Sequence, residues 1–467
     1  MIKARGFSGT GEFSMSVARF MKRSITILAL LAAVAFAPKA VFAQIGGVAV
    51  DAEGVLQLKS SVDQTGRLGK EQQAAARAAL NGDVARPSAM RYISLKALEK
   101  KIRDNQGALI DEMRYLGGLL RVRYVFCYPE SGDIVIAGPA EGWVIDSTGR
   151  AVGIASGRPV VRLEDLCVAL RAFPAGGQPT KLISCSIDPT PEGLAAMQRF
   201  LRSVGSSATP NQTQYIVNGL QTNLGQQTVS VSGISPKTHF ALTMIEADYR
   251  MKLIGIGLEH APVRLVSWAE RANAAQISRN AMARWYFTPD YQCVRTDCDG
   301  LAMELVGDGV KVVGQDEMVA ENGKRQAASS KAGSASQAFV QNFTKVYPEL
   351  ADKSPIFAEL RNMIDLAVAS AYIQQHDLYG KSNWKPEILT DEAAIPCEIN
   401  NTPKQVATAV NAIWKGRQLL TPVGGGVEIA PMNAISPGQL LPKKDDHVAK
   451  AHEKVKLDVA KGKWWWD

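Results

Sequence analysis

Apolar residues at Phe240, Met244, Ala247, Met251 and Ile254 repeat in steps of four and three, a spacing that predicts a helix with one apolar face. Ser235-Pro236 reads as its start. Glu246 with Arg250 and Asp248 with Lys252 stand four residues apart on the remaining surface, where they are expected as solvated ion pairs. The same period marks Leu95, Leu98 and Ile102 behind a Ser94 cap, Leu163, Leu166, Cys167 and Leu170, and a helix capped by Thr190 with Pro191 at its first position. After Ser354-Pro355, the residues Phe357, Leu360, Ile364, Val368 and Ala371 fall on one face, with Gly380 as a stop.

Strand-like runs occupy 122–126, 133–136, 182–187, 228–231, 284–287, 292–295, 300–306 and 310–313, and 143–146 with 151–154 form a hairpin. Helical and strand patterns alternate, so the expected class is α+β or α/β. Two small α/β units are expected at 119–205 and 206–318, after a helical segment at 44–118. A linker at 319–337, a helical module at 338–420 and a disordered C-terminal tail at 421–467 complete the division. The pattern Asp-x-x-Gly recurs at Asp51, Asp146 and Asp297 and is hairpin-turn chemistry, not a domain repeat.

Residues 21–44 read as an export signal. Lys22 and Arg23 open it, 25–37 is an apolar run too short to span a bilayer, and Val41-Phe42-Ala43 is a cleavage site, so the mature chain is expected to begin at Gln44. The expected location is therefore periplasm, cell envelope or medium, with no transmembrane segment in the mature chain. Removing 1–43 takes away six basic residues against Glu12 alone, and the net charge falls from +8 to +3. A weakly basic chain without a basic stripe gives no reason to expect a nucleic-acid partner. At roughly 150 residues per domain the remainder accommodates two or three domains.

Six cysteines in an exported chain can pair, and Cys293 with Cys298, flanking a short loop, is the natural candidate disulfide. Cys127, Cys167 and Cys185 lie on apolar sides of their elements and read as buried thiols or an internal disulfide. The cluster Asp290, Cys293, Asp297, Cys298 and Asp299 fails as a calcium loop, because Arg295 and Val306 would fall at ligand positions. Neither a serine-hydrolase elbow nor a zinc-protease helix occurs. Gly380-Lys381-Ser382 and Gly255-x-Gly257 each lack the glycines a phosphate loop or dinucleotide fold requires. No cofactor or metal is expected. In 138–143, two Gly and a Pro hold Glu141 beside Trp143, a binding-loop pattern weighed against plain packing of the indole. The Trp run at 464–466 next to Lys463 suggests a membrane interface, a disordered end or packing onto the body.

The phrases Asp133-Ile-Val-Ile-Ala-Gly-Pro-Ala-Glu-Gly-Trp143, Gly157-Arg-Pro159 with Leu163-Glu-Asp-Leu166, and Cys185-Ser-Ile-Asp-Pro189 resemble an uncharacterised family of exported proteins from planctomycete bacteria, a domain of unknown function, over 119–260. The resemblance implies export but no reaction. It draws Glu141, Trp143, Arg158 and Asp165 together as weak candidate binding residues. The leading expectation is a non-catalytic protein that binds or assembles in the cell envelope, its partner an unidentified envelope component or small ligand. The alternative is an envelope hydrolase with Glu141 as acid or base.

Overall fold

Strand alternation on 124–140 sorts side chains to two faces. Val125, Cys127, Ile134 and Ile136 point into the main core, while Tyr124, Phe126, Val135 and Ala137 join a second cluster with Val448 and Trp466. These strands, Tyr124–Tyr128 and Asp133–Ala140, are central in a six-stranded antiparallel sheet. Its order is Val294–Thr296, Ala302–Leu305, Tyr124–Tyr128, Asp133–Ala140, Ser88–Ser94 and Trp465–Trp466. The structure, a computed structural model, describes residues 44–61, 67–205, 209–272, 281–319, 325–327, 333–411, 414–415, 418–419, 424–442, 446–455, 457 and 463–467. The export signal expected at 1–43 lies outside the described residues. Among those described, no helix is long and apolar enough to cross a membrane.

A nine-stranded sheet holds most of the other strands, in the order Gln44–Val50, Val55–Ser61, Gln405–Ala407, Gln226–Ser232, Ile183–Pro189, Gly424–Ile429, Ala281–Pro289, Val310–Val319 and Arg325–Ala327. The mixed α/β class expected from the pattern is what the chain forms. Strands from 119–205 and from 206–318 enter both sheets, and Ile183–Pro189 pairs directly with Gln226–Ser232. Gly424–Ile429 inserts between Ile183–Pro189 and Ala281–Pro289. A Cβ at Gly425 would stand 1.9 Å from the Trp285 carbonyl and one at Gly426 2.1 Å from that of Cys185, so only glycine admits this close backbone approach.

Between the sheets lies a layer of helices. His239–Gly255 backs the nine-stranded sheet, and Pro355–Gln375 packs on it and on Leu163–Ala172. Tyr372 donates to the carbonyl of Ala302 in the six-stranded sheet, 3.1 Å away. A helix with layers on every side is buried all round. Accordingly 18 residues of Pro355–Gln375 are buried, which corrects the one-faced expectation. The helix ends at Gln375, and Asp377 then caps a short helix Leu378–Lys381 that contains Gly380, so Gly380 is not the stop.

The same burial corrects the reading of His239–Gly255. Lys252 Nζ does meet Asp248 Oδ2 at 2.7 Å, and Arg250 lies 3.8 Å from Glu246, but all four side chains are buried. Its cap is Thr238, one turn past Ser235-Pro236. Ser94 and Thr190 cap as expected. Within 319–337, Arg325–Ala327 pairs with Glu317–Val319 and the helix Ser334–Lys353 begins. Of the three outcomes considered for the Trp run, packing onto the body holds: Trp465 and Trp466 pair with Ile93 and Tyr92. The strand Asp133–Ala140 runs through Gly138 and Pro139, leaving only Glu141 and Gly142 before the next strand, Trp143–Ile145. The partner strand's register shifts between Ser88 and Arg91, opposite Pro139, which has no N–H to give the ladder.

Candidate functional site

Arg121 and Arg123 sit two residues apart on the backbone entering Tyr124–Tyr128. That segment is held beside Asp133–Ala140 by Leu120 N donating to Pro139 O and Arg123 N to Ala137 O, both at 2.8 Å. The two arginines line one wall of a cleft of about 260 Å³. Arg361, from the buried helix Pro355–Gln375, and Arg158, from the loop after Ala151–Gly153, complete a set of four guanidinium groups; Asp308 and Asp352 are the carboxylates among the lining.

The anchoring differs from one arginine to the next. Arg121 is buried and grips Asp365 with Nε at 2.5 Å and a second nitrogen at 3.2 Å, and it donates to the Gly307 carbonyl. Burial would lower its pKa, but the Asp365 carboxylate beside it raises it above the usual value. Arg361 is buried with Asp308 at 3.3 Å, and its pKa is lowered by burial and by the nearby charge of Arg121. Arg158 meets Asp352 at 2.7 Å and is half-exposed, while Arg123 stands 3.8 Å from Glu304. The Nε atoms of Arg123 and Arg361 are buried without a hydrogen-bond acceptor among the described residues. A cleft lined by four arginines and two aspartates carries a surplus of positive charge, which suits an oxyanion.

Of the four residues singled out from sequence, only Arg158 lines this cleft. Glu141 is buried under the hairpin, where Ser156 donates its N–H at 2.9 Å and its hydroxyl at 2.6 Å to Oε1. A Cβ at Gly153 would lie 1.8 Å from that oxygen, so glycine there makes room for the carboxylate. Trp143 packs with Val84, Leu120 and Val160 and against the Tyr115 ring at 5.5 Å. Asp165 is buried and holds His239 Nδ1 at 2.9 Å.

That last contact belongs to a buried charge network. Arg150 bridges Glu246 at 2.6 Å and Glu359 at 2.8 Å, and Arg250 holds Glu259 at 2.7 Å. Burial opposes the charge on His239, but the Asp165 carboxylate outweighs it and raises the pKa. Burial likewise acts against the Glu359 carboxylate, and Arg150, His239 and Arg162 overcome it and lower the pKa. Each charge faces an opposite one, although Glu246 Oε1 and Glu259 Oε2 lack a hydrogen-bond partner among the described residues, and such paired burial is the chemistry of a structural core. Among the described residues no cluster of His, Cys, Asp and Glu is arranged to hold a metal ion.

The expected Cys293–Cys298 disulfide is absent. Cys293 is buried in the core, its thiol pushed up to about 12 by burial, whereas Cys298 is exposed on the Asp297 turn, so the two side chains lie in different environments. The six cysteines form no disulfide.

Residues 185–268 match a family described as a protein of unknown function (DUF1598). No curated protein and no solved structure matches the chain. The matched segment carries His239, Glu246, Asp248 and Lys252, whereas Glu141, Trp143, Arg158 and Asp165 precede it.

Sequence reasoning passed over Arg121, Arg123 and Arg361. A signal existed for the first two: Leu-Arg-Val-Arg at 120–123 alternates as a strand does and places both arginines on one side. Arg361 and Asp365 are spaced four apart on a helix that also carries Glu359 and Asn362, which reads as a solvated polar stripe until the surrounding layers are known.

Proposed function

We propose that this chain is a binding protein for a small oxyanion-bearing ligand, a carboxylate or a phosphate, held in the arginine-lined cleft without chemical change. The observation that carries the reading is the convergence of Arg121, Arg123, Arg158 and Arg361 on one cleft, four cations against the two carboxylates of Asp308 and Asp352. Arg121 is fixed by Asp365 and serves as a preorganised wall. Arg158 can swing from Asp352 to the ligand, because that pair is half-exposed and an exposed pair contributes at most about 1 kcal/mol. The apolar run at 25–37 supports export, which places the binding step in the envelope or outside the cell. A hydrolase reading based on Glu141 gains nothing from this geometry, because Glu141 faces Ser156 and is not among the cleft lining.

Titration calorimetry of the full chain against inorganic phosphate and a di- and tricarboxylate series tests the proposal. Binding of at least one of these is expected, weakened about tenfold or more in Arg158→Gln, equivalent to about 1.4 kcal/mol. Arg158 is half-exposed, so that variant is expected to fold. Failure of every anion to bind, or equal affinity in Arg158→Gln, overturns the reading.

A further inference from the structure

A second site lies where the irregular segment 382–404 crosses the helix Leu163–Ala172. Arg171 donates to the carbonyls of Asp391 at 3.0 Å and Ile395 at 2.8 Å, and it pairs with Glu392. Two helical turns earlier, Cys397 Sγ donates to the Glu164 carbonyl at 3.5 Å. The segment is thus pinned on both sides of Cys167, and Cys397 Sγ lies against the turn of the helix that carries Cys167. Glu392 accepts from the backbone N–H of Cys397 at 2.7 Å and fixes the cysteine's position. We propose that Cys167 and Cys397 form a redox site, two thiols brought to one helical turn by separate parts of the chain and convertible to a disulfide that staples the 382–404 segment onto the helix.

The two sulfurs have different roles. Cys397 is the more acidic, because it accepts the Cys167 hydrogen bond and stands near Arg171, whereas burial holds the Cys167 thiol well above its usual value. Pro396 and Glu398 on either side are exposed, so a small local displacement brings Cys397 to solvent. With a small-molecule disulfide as oxidant, the Cys397 thiolate attacks one sulfur and breaks the S–S bond, giving a mixed disulfide and one departing thiolate. Cys167 passes its proton to that thiolate and attacks Cys397 Sγ, releasing the second thiol. Two protein thiols are oxidised and one disulfide is reduced to two thiols, so electrons and protons balance.

The test is incubation of the full chain with oxidised glutathione, quenching by alkylation, and peptide mapping by mass spectrometry. A linked Cys167–Cys397 peptide, about 2 Da lighter than the two thiol peptides together, is expected. Cys127, Cys185 and Cys293, all buried, are expected to become alkylated only after unfolding. In Cys397→Ser, Cys167 is expected to stay reduced. A Cys397 that remains a thiol, a glutathione adduct on Cys397 that Cys167 does not resolve, or Cys167 oxidised with another partner in Cys397→Ser overturns the proposal. None of these readouts depends on anion binding.

Discussion

Asp248 shows how far one residue's setting departs from its spacing. Its partner Lys252 is four positions on, as expected, yet both are buried: Lys252 also donates to the Ile187 carbonyl at 3.0 Å, and Asp248 Oδ1 has no hydrogen-bond partner among the described residues. Burial lifts the Asp248 pKa from 3.8 to about 6, and the Lys252 charge only partly opposes this. A raised folded-state value means the native state holds the proton more tightly. Its stabilising contribution is complete below pH about 3.8 and is lost as pH rises through about 6. At roughly 1.4 kcal/mol per unit, the effect is on the order of 3 kcal/mol. Asp248→Asn mimics the protonated form. Urea denaturation is expected to show the variant gaining on the native protein by that order between pH 4 and 7, and a constant difference across the range would refute the assignment. The turn aspartates, by contrast, were fully legible. Asp51 Oδ1 accepts from Val55 N at 2.7 Å, Asp146 Oδ1 from Thr148 N at 2.8 Å and Asp297 Oδ1 from Leu301 N at 3.0 Å, because a turn is made by its own residues.

Among elements, the short strand Trp465–Trp466 closes the edge of the six-stranded sheet beside Ser88–Ser94. Trp466 stacks on Tyr92 with ring centres 5.7 Å apart, and the Arg91 guanidinium lies 4.4 Å over the Trp465 ring. Arg91 is fully buried. It reaches Asp467 at 2.7 and 3.0 Å and donates to the Val84, Asp83, Arg86 and Gly117 carbonyls. Asp467→Asn leaves a buried cation without its anion and is expected to lower stability by about 1–3 kcal/mol in thermal or urea unfolding. A change within about 0.5 kcal/mol, ordinary for a surface site, would mean the pair contributes nothing. Helix identity was readable at Leu95–Asp104, where period and cap agree, at Leu163–Ala172 from its period and at Pro191–Val204 from its Thr190 cap and first-position proline. The burial of Glu359, Arg361 and Asp365 was not, because period reports which residues share a face and says nothing about what lies outside it.

Over the whole molecule, both sheets draw strands from distant parts of the chain, and one main core joins them through the helical layer. Coincident loss of far-ultraviolet ellipticity and tryptophan fluorescence in a single urea transition is therefore expected. A chain cut after residue 420 lacks Gly424–Ile429 and is expected not to fold, because that strand separates Ile183–Pro189 from Ala281–Pro289; a folded, cooperative product would contradict the topology. This strand was illegible in sequence. Gly424-Gly425-Gly426 scores as loop, and its glycines are explained only by the backbones of Trp285 and Cys185 pressed against it. The arginine cleft was hidden for a related reason, since its four guanidinium groups come from three separate stretches of chain with no common spacing.

The central place of Gly424–Ile429 also sets an order of events during biosynthesis. Eight strands of the larger sheet precede it in the chain, and two of them, Ile183–Pro189 and Ala281–Pro289, keep an open slot until it arrives. At about 5–20 residues per second, the ribosome needs roughly 7–28 s between completing Ala281–Pro289 and supplying the strand that fills the gap. Through that interval a nascent chain that has formed those two strands presents unpaired backbone on both sides of the slot, the kind of surface a holdase grips.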